Sequence, residues 1–206
     1  MISSPSGGGK STIARHLLEA RDDVTYSVSA TTRARRPAEV DGRHYHFLDP
    51  AEFERRVRAG EFVESAEYGG YRYGTLRGEV ERGLSAGKHV VLDIDVAGAR
   101  QVRKLYPDSV HVFVLPPSAA VLVQRLRNRS TEETEDIGRR MEIAAHELEA
   151  AAEYDYVVVN DDFVEAVAHV AAILDAEARR VGRLPNLSEV IANLRRDLAG
   201  MIKTKE

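Results

Sequence analysis

The stretch "SSPSGGGKST", Ser3 to Thr12, constrains this chain more than any other. It follows a scrap of apolar strand, "MIS", and precedes "TIARHLLEAR", where Ile13, Ala14, Leu17 and Leu18 recur at helical spacing. A glycine run between a strand and a helix N-terminus leaves backbone N–H groups and the positive end of the helix dipole facing outward, which favours an anion. Gly9, Lys10 and Ser11 fit the second half of the phosphate-loop pattern G-x-x-x-x-G-K-[ST], and Ser4 stands where the first glycine belongs. A small residue serves there as long as its φ stays negative. The same residue types also suit a solvated glycine–serine leader. Only Met1 to Ser3 precede the loop, where an ordinary strand has about five or six residues, so the first strand is expected to be clipped or to draw on residues upstream.

Strands and helices then alternate. "VTYSVS" places Val24, Tyr26 and Val28 at strand spacing, "HVVLDID" reads as a buried strand, "VHVFVL" as a continuous apolar run suited to a parallel sheet covered on both faces, and "YVVVN" as a further strand. Between them fall helical segments. In "LDPAEFERRVRAG", Asp49 serves as cap, Pro50 fits the first turn, Glu52 completes a capping box and Gly60 ends the helix. Thr75 to Ala86 is expected to be helical up to Gly87, and Ala97 to Tyr106 up to Pro107. "SAAVLVQRLRNR" and a segment opened by Ser130 and Glu133 are expected as two further helices. The alternation implies a parallel, doubly wound α/β sheet with its phosphate site at the carboxyl end of the first strand. From about Ala30 to Gly83 short strands take over, including a hairpin turning at Gly69-Gly70, which reads as an inserted, mainly antiparallel subdomain. In the tail, Leu187, Val190, Ile191, Leu194 and Leu198 form an apolar helical stripe, expected to dock on this chain or on a sister subunit.

Composition narrows the class. With 206 residues, 43% hydrophobic and 30% charged, the chain suits one globular core with small subdomains. It has no cysteine, which excludes disulfides and cysteine-ligated zinc and fits a reducing cytoplasm. No leader-like segment precedes the glycines and no apolar run is long enough for a bilayer, so no membrane partner is expected. Net charge is −4, yet arginines concentrate at Arg33 to Arg36 with Arg43, and at Arg125 to Arg129 with Arg139 and Arg140. Without a domain-wide basic excess or an aromatic–basic repeat, nucleic acid is not an expected partner.

The segments "SPSGGGKST", "SVSATTRARRPAEVDGRHYHF", "GEFVESAEYGGYRYGT", "VLDIDVAGA", "RLRNRSTEETEDIGRRM" and "YVVVND" occur in the order and spacing of guanylate kinases. The chain resembles that family from Ile2 to about Ala178. The resemblance implies a phosphate-loop nucleoside monophosphate kinase fold, with a core over 1–29, 84–120 and 146–181. It further implies a GMP-binding subdomain over 30–83, a helical lid over 121–145 and a helical extension over 182–206. It implies transfer of the ATP γ-phosphoryl group to GMP, and to dGMP, with Mg²⁺, in purine nucleotide metabolism in the cytoplasm.

By the same resemblance, Lys10 and the loop from Ser6 through Gly7, Gly8, Gly9 and Ser11 to Thr12 would hold the ATP phosphates, with Ser11 on Mg²⁺ and Asn160 near the adenine. Asp93 is placed near the guanine, and Asp93 or Asp95 could help to order the metal; a helix cap is the alternative for Asp95. Arg33, Arg36, Tyr45 and Tyr73 match the grip on the acceptor phosphate, and Ser29, Glu64 and Thr75 the guanine-reading positions. A carboxylate at Glu64 makes chemical sense, since guanine offers N1–H and a 2-amino group side by side and adenine does not. Arg125, Arg129 and Arg140 match the lid residues that meet the transferring group. The alternatives are a phosphate-loop kinase for another acceptor, which lacks a reason to carry Glu64 and Thr75, and a non-catalytic interaction module, which lacks a reason to keep Lys10.

Overall fold

The computed structural model describes residues 1–129 and 137–203, the side chains of Arg129 and Lys203 excepted. Its elements begin with β1 (Ile2–Ser3), α1 (Lys10–Ala20), β2 (Val24–Tyr26), β3 (Ser29–Thr31), β4 (His46–Phe47) and α2 (Pro50–Arg58). There follow β5 (Phe62–Tyr68), β6 (Tyr71–Leu76), α3 (Arg77–Ser85), β7 (His89–Val91), α4 (Val96–Leu105) and β8 (Val112–Leu115). The chain continues through α5 (Ala119–Arg129), α6 (Ile137–Glu149), β9 (Tyr156–Val159), α7 (Phe163–Ala178) and α8 (Leu187–Lys203). The capping pair expected at Ser130 and Glu133, and the Arg129 side chain, lie outside the described residues.

Two sheets organise the chain. β1 pairs in parallel with β8, β8 with β9, and β2 with β7. The Ile2 N–H donates to the Leu92 carbonyl at 2.9 Å and Ile2 bridges Asp93, so the continuation of β7 lies beside β1 and the parallel order runs β2, β7, β1, β8, β9. The short β1 is therefore held on both sides. The second sheet has the order β4, β3, β6, β5, antiparallel except for β3 with β4. This mixed α/β architecture is the fold class expected from the sequence.

Local chemistry explains several boundaries. At the start of α2, Asp49 Oδ1 accepts from the Glu52 N–H at 2.8 Å, and Pro50 needs no donor of its own there. The Glu52 carboxylate turns instead to Arg55 and Arg56, so only half of the capping box forms. β8 is apolar without alternation because Val112, Phe113 and Val114 are all buried.

Two expectations are corrected. "VTYSVS" is not one strand: the ladder stops after Tyr26, and Ser29 opens β3 in the other sheet, where it pairs with Thr75. α3 starts at Arg77 rather than Thr75, because Thr75 is held in β6 between Ser29 and Glu64. Long-range pairing on both sides of β6 outweighs the local helical pattern.

The chain divides into two compact units, Met1–Val170, which contains both sheets, and Ala171–Glu206. In the second unit, Arg183 and Arg180 pair with Glu177 at 3.1 and 3.3 Å, and Val190, Ile191, Leu194 and Leu198 on α8 are exposed. Among the described residues no helix is long and apolar enough to cross a membrane.

Candidate functional site

The loop from Ser4 to Gly9 connects β1 to α1 and is built by close approach. Gly7 and Gly9 have φ of +86° and +99°, and Ser4 keeps a negative φ, the condition for replacing the first glycine of the pattern. At Gly9 a side chain is impossible for a second reason: its Cβ would lie 2.3 Å from Asn160 Nδ2. That amide donates to the Gly8 carbonyl at 2.9 Å, and Asn160 is buried. Arg125, on α5, reaches the Asn160 carbonyl at 3.3 Å and, more loosely, the Gly8 carbonyl at 3.5 Å. Asn160 and Arg125 thus take up loop and strand-end carbonyls. The Ser6 N–H donates to Glu147 Oε2, on α6, at 3.0 Å.

A cleft of about 460 Å³ opens beside the loop and is lined from both sheets. On one side stand Ser6, Gly7, Gly9, Lys10 and Ser11, with Asp93 and Asp95 from the end of the β7 segment; on the other stand Ser29, Tyr45, Glu64 and Tyr73. The structure brings these sequence-derived residues into one cavity. Lys10 Nζ lies 2.6 Å from Asp93 Oδ1, an ion pair whose angle falls short of a hydrogen bond and which leaves that buried oxygen otherwise unpartnered. Asp95 is the cap of α4, its Oδ1 accepting from the Gly98 N–H at 2.7 Å.

Glu64 is the buried charge of the cleft, 6% exposed on β5. The Thr75 hydroxyl donates to its Oε1 at 2.6 Å. Burial raises its pKa to about 7; the Thr75 hydrogen bond works against that rise and nearby Asp95 adds to it. The other carboxylate oxygen faces Gly98, whose missing side chain makes the room: a Cβ there would lie 2.8 Å from Glu64 Oε2.

Several expected residues stand outside the lining. Gly8, Thr12, Thr75 and Asn160 are not part of it, though Asn160 holds the Gly8 carbonyl and Thr75 holds Glu64. Arg33 is turned to Glu39, its two terminal nitrogens 2.7 and 3.1 Å from the carboxylate oxygens, and its guanidinium lies 5.6 Å from the centre of the Tyr45 ring. The hydrogen bond from Arg33 and the Arg36 N–H hold Glu39 well below the usual carboxylate range, at about 2. The Arg36 side chain is exposed. Arg140 donates to the Leu126 carbonyl at 3.2 Å, between α6 and α5.

Three further residues carry no functional mark in the sequence. Tyr26 lines the cleft; burial, with Asp93 and Tyr45 nearby, pushes its phenol upward. Its strand alternation is legible, but not the cavity it faces. Glu147 lines the cleft from α6, and burial raises its carboxyl above the ordinary range while Lys10 opposes that rise. Glu39 sits in a loop with no pattern to mark it as the partner of Arg33.

Comparison with known proteins adds an independent line. The family model described as guanylate kinase matches residues 1–177. A guanylate kinase from Symbiobacterium thermophilum is 50% identical over 183 residues, 89% of this chain and 87% of the relative. One from Thermus thermophilus is 48% identical over 199 residues, 97% of this chain and 89% of the relative. The crystal structure of guanylate kinase from Anaplasma phagocytophilum matches with a TM-score of 0.76 at 35% identity, covering 93% of this chain and 92% of that one.

Proposed function

This chain belongs to the guanylate kinase family, and we propose that it performs the family's phosphotransfer by moving the γ-phosphoryl group of ATP to GMP within the cleft between the loop and the second sheet. The chain is a guanylate kinase, a nucleoside monophosphate phosphotransferase. The residue roles below are the proposal. One observation carries them: Lys10 and Glu64, a phosphate-seeking cation and a guanine-matched carboxylate, line the same cavity.

ATP seats its phosphates on the N–H groups of the loop, with Lys10 drawn from Asp93 to the β- and γ-phosphates. The donor set suits Mg²⁺. Ser11 and Asp93 line the cleft, the buried Asp93 oxygen beside Lys10 accepts no hydrogen bond, and among the described residues no group of three Asp, Glu or His side chains is placed to hold a metal by itself. A sparse set fits an ion that keeps waters and shares substrate phosphates. Ser11 would hold it, with Asp93 or Asp95 through water, and when bound it neutralises charge on the transferring group.

GMP enters from the second sheet. Ionised Glu64 accepts from guanine N1–H and the 2-amino group, with Ser29 and Thr75 beside it. Tyr45 and Tyr73 donate to the acceptor phosphate, and Arg33 and Arg36 meet it once Arg33 leaves Glu39. None of these contacts reads the 2′-hydroxyl, so dGMP serves as well. The acceptor phosphate is largely dianionic at neutral pH, its second pKa being about 6, so no proton need be removed. In keeping with that, none of the seven histidines lines the cleft. Catalysis is then positioning and charge neutralisation by Lys10, Arg33 and the arginines of the 121–145 segment, Arg125, Arg129 and Arg140. A reaction that consumes ATP and GMP belongs in the cytoplasm, where both are used.

Lys10→Met tests the loop assignment. It abolishes transfer and weakens MgATP, while GMP binding stays measurable by calorimetry; normal turnover by that variant overturns the assignment.

A further inference from the structure

A carboxylate beside a seat for a triphosphate is electrostatically unfavourable, and Glu147 is such a carboxylate. It lines the cleft next to Lys10, Asp95 and the loop. It arrives on α6, 141 positions along the chain from the loop residue it touches, Ser6, whose backbone N–H it accepts at 3.0 Å. α6 is a firm platform. Ala144 packs with Leu122 and Leu126 of α5, and Leu148, next to Glu147, joins that cluster. The other end of the loop is held from behind by Asn160 and Arg125 through the Gly8 carbonyl. The Ser6 end has Glu147.

We propose that Glu147 is a positioning residue for the ATP site: its carboxylate oxygen fixes the Ser6 end of the phosphate loop against α6, so that the loop's N–H groups are preset for the triphosphate. The role needs an acceptor, not a charge. It rests on the reading of the loop as the ATP seat. Glutamine at this position keeps an acceptor for the Ser6 N–H and removes the repulsion toward phosphate; alanine removes both.

The test compares E147A and E147Q with the unmutated chain and with Lys10→Met. MgATP and GMP binding are measured separately by calorimetry, with KM for each substrate and the melting temperature alongside. Loss of the hydrogen bond that holds the Ser6 end predicts MgATP binding weaker by about tenfold in E147A. GMP binding should stay within about twofold, and E147Q should bind MgATP at least as well as the unmutated chain. Three outcomes overturn the proposal. One is unchanged or tighter MgATP binding by E147A, which would make the carboxylate only a competitor of phosphate. Another is an equal loss for both nucleotides, which would make it a general support of the fold. The last is a failure of E147Q to restore MgATP binding. Lys10→Met separates the two levels: if it leaves MgATP binding intact, the loop assignment fails, whatever the Glu147 variants do.

Discussion

Thr75 donates its hydroxyl to Glu64 at 2.6 Å at the wall of the cleft, and both side chains are buried. The bond crosses adjacent antiparallel strands, β6 and β5, where the two residues are register partners. It orients the carboxylate and moderates its reluctance to ionise.

Thr75→Val keeps the shape and removes the donor. Glu64 then loses a charge-assisted bond, of order 1.5–3 kcal/mol, and its pKa climbs further above about 7. Steady-state kinetics at pH 7 should show KM for GMP raised about tenfold or more, with KM for ATP unchanged. A matching rise in both constants would mean that the hydroxyl serves the fold and not the base site.

Guanine binding needs Glu64 ionised, so kcat/KM for GMP should fall as pH drops through about 7, and Glu64→Gln should flatten the profile at a lower level. Stability should move the opposite way. Burial raises the Glu64 pKa above its unfolded value, so the stability linked to its proton is full below the unfolded pKa and is lost as pH rises through about 7. Melting curves without nucleotide should therefore favour Glu64→Gln over the unmutated chain increasingly from pH 5 to pH 8.

Gly98→Ala separates fold from specificity. The added methyl would lie 2.8 Å from Glu64 Oε2, the end of a side chain that can swing aside, and alanine is the better helix former. The melting temperature should change by only a few degrees, while KM for GMP rises about tenfold because the carboxylate no longer points at the base. Unchanged GMP kinetics would show that the guanine does not depend on the observed pose of Glu64.

Much of this site is legible in the sequence because its signals are local. The glycine loop between β1 and α1, the α2 cap at Asp49 and the hairpin at Gly69-Gly70 are each set by a few neighbouring residues, and each is found in the structure. Glu64 and Ser29 are marked only by likeness to a family; nothing in their spacing singles them out, since they meet in the cleft through β6. The local pattern at Thr75 reads as the start of a helix because it cannot report two cross-strand partners. Glu147 and Asn160 are out of reach as loop supports for a similar reason: their partners lie 141 and 152 positions away. Arg33 is legible as a cation but not as a partner of Glu39, which takes it up from an unpatterned loop.

The central claim is that one buried carboxylate selects the acceptor base, and the most direct measurement is ADP formation from MgATP with GMP and with AMP under identical conditions. The account predicts kcat/KM for GMP higher by about 10⁴-fold or more, with most of that margin lost in Glu64→Gln. Comparable values for GMP and AMP in the unmutated chain would contradict it.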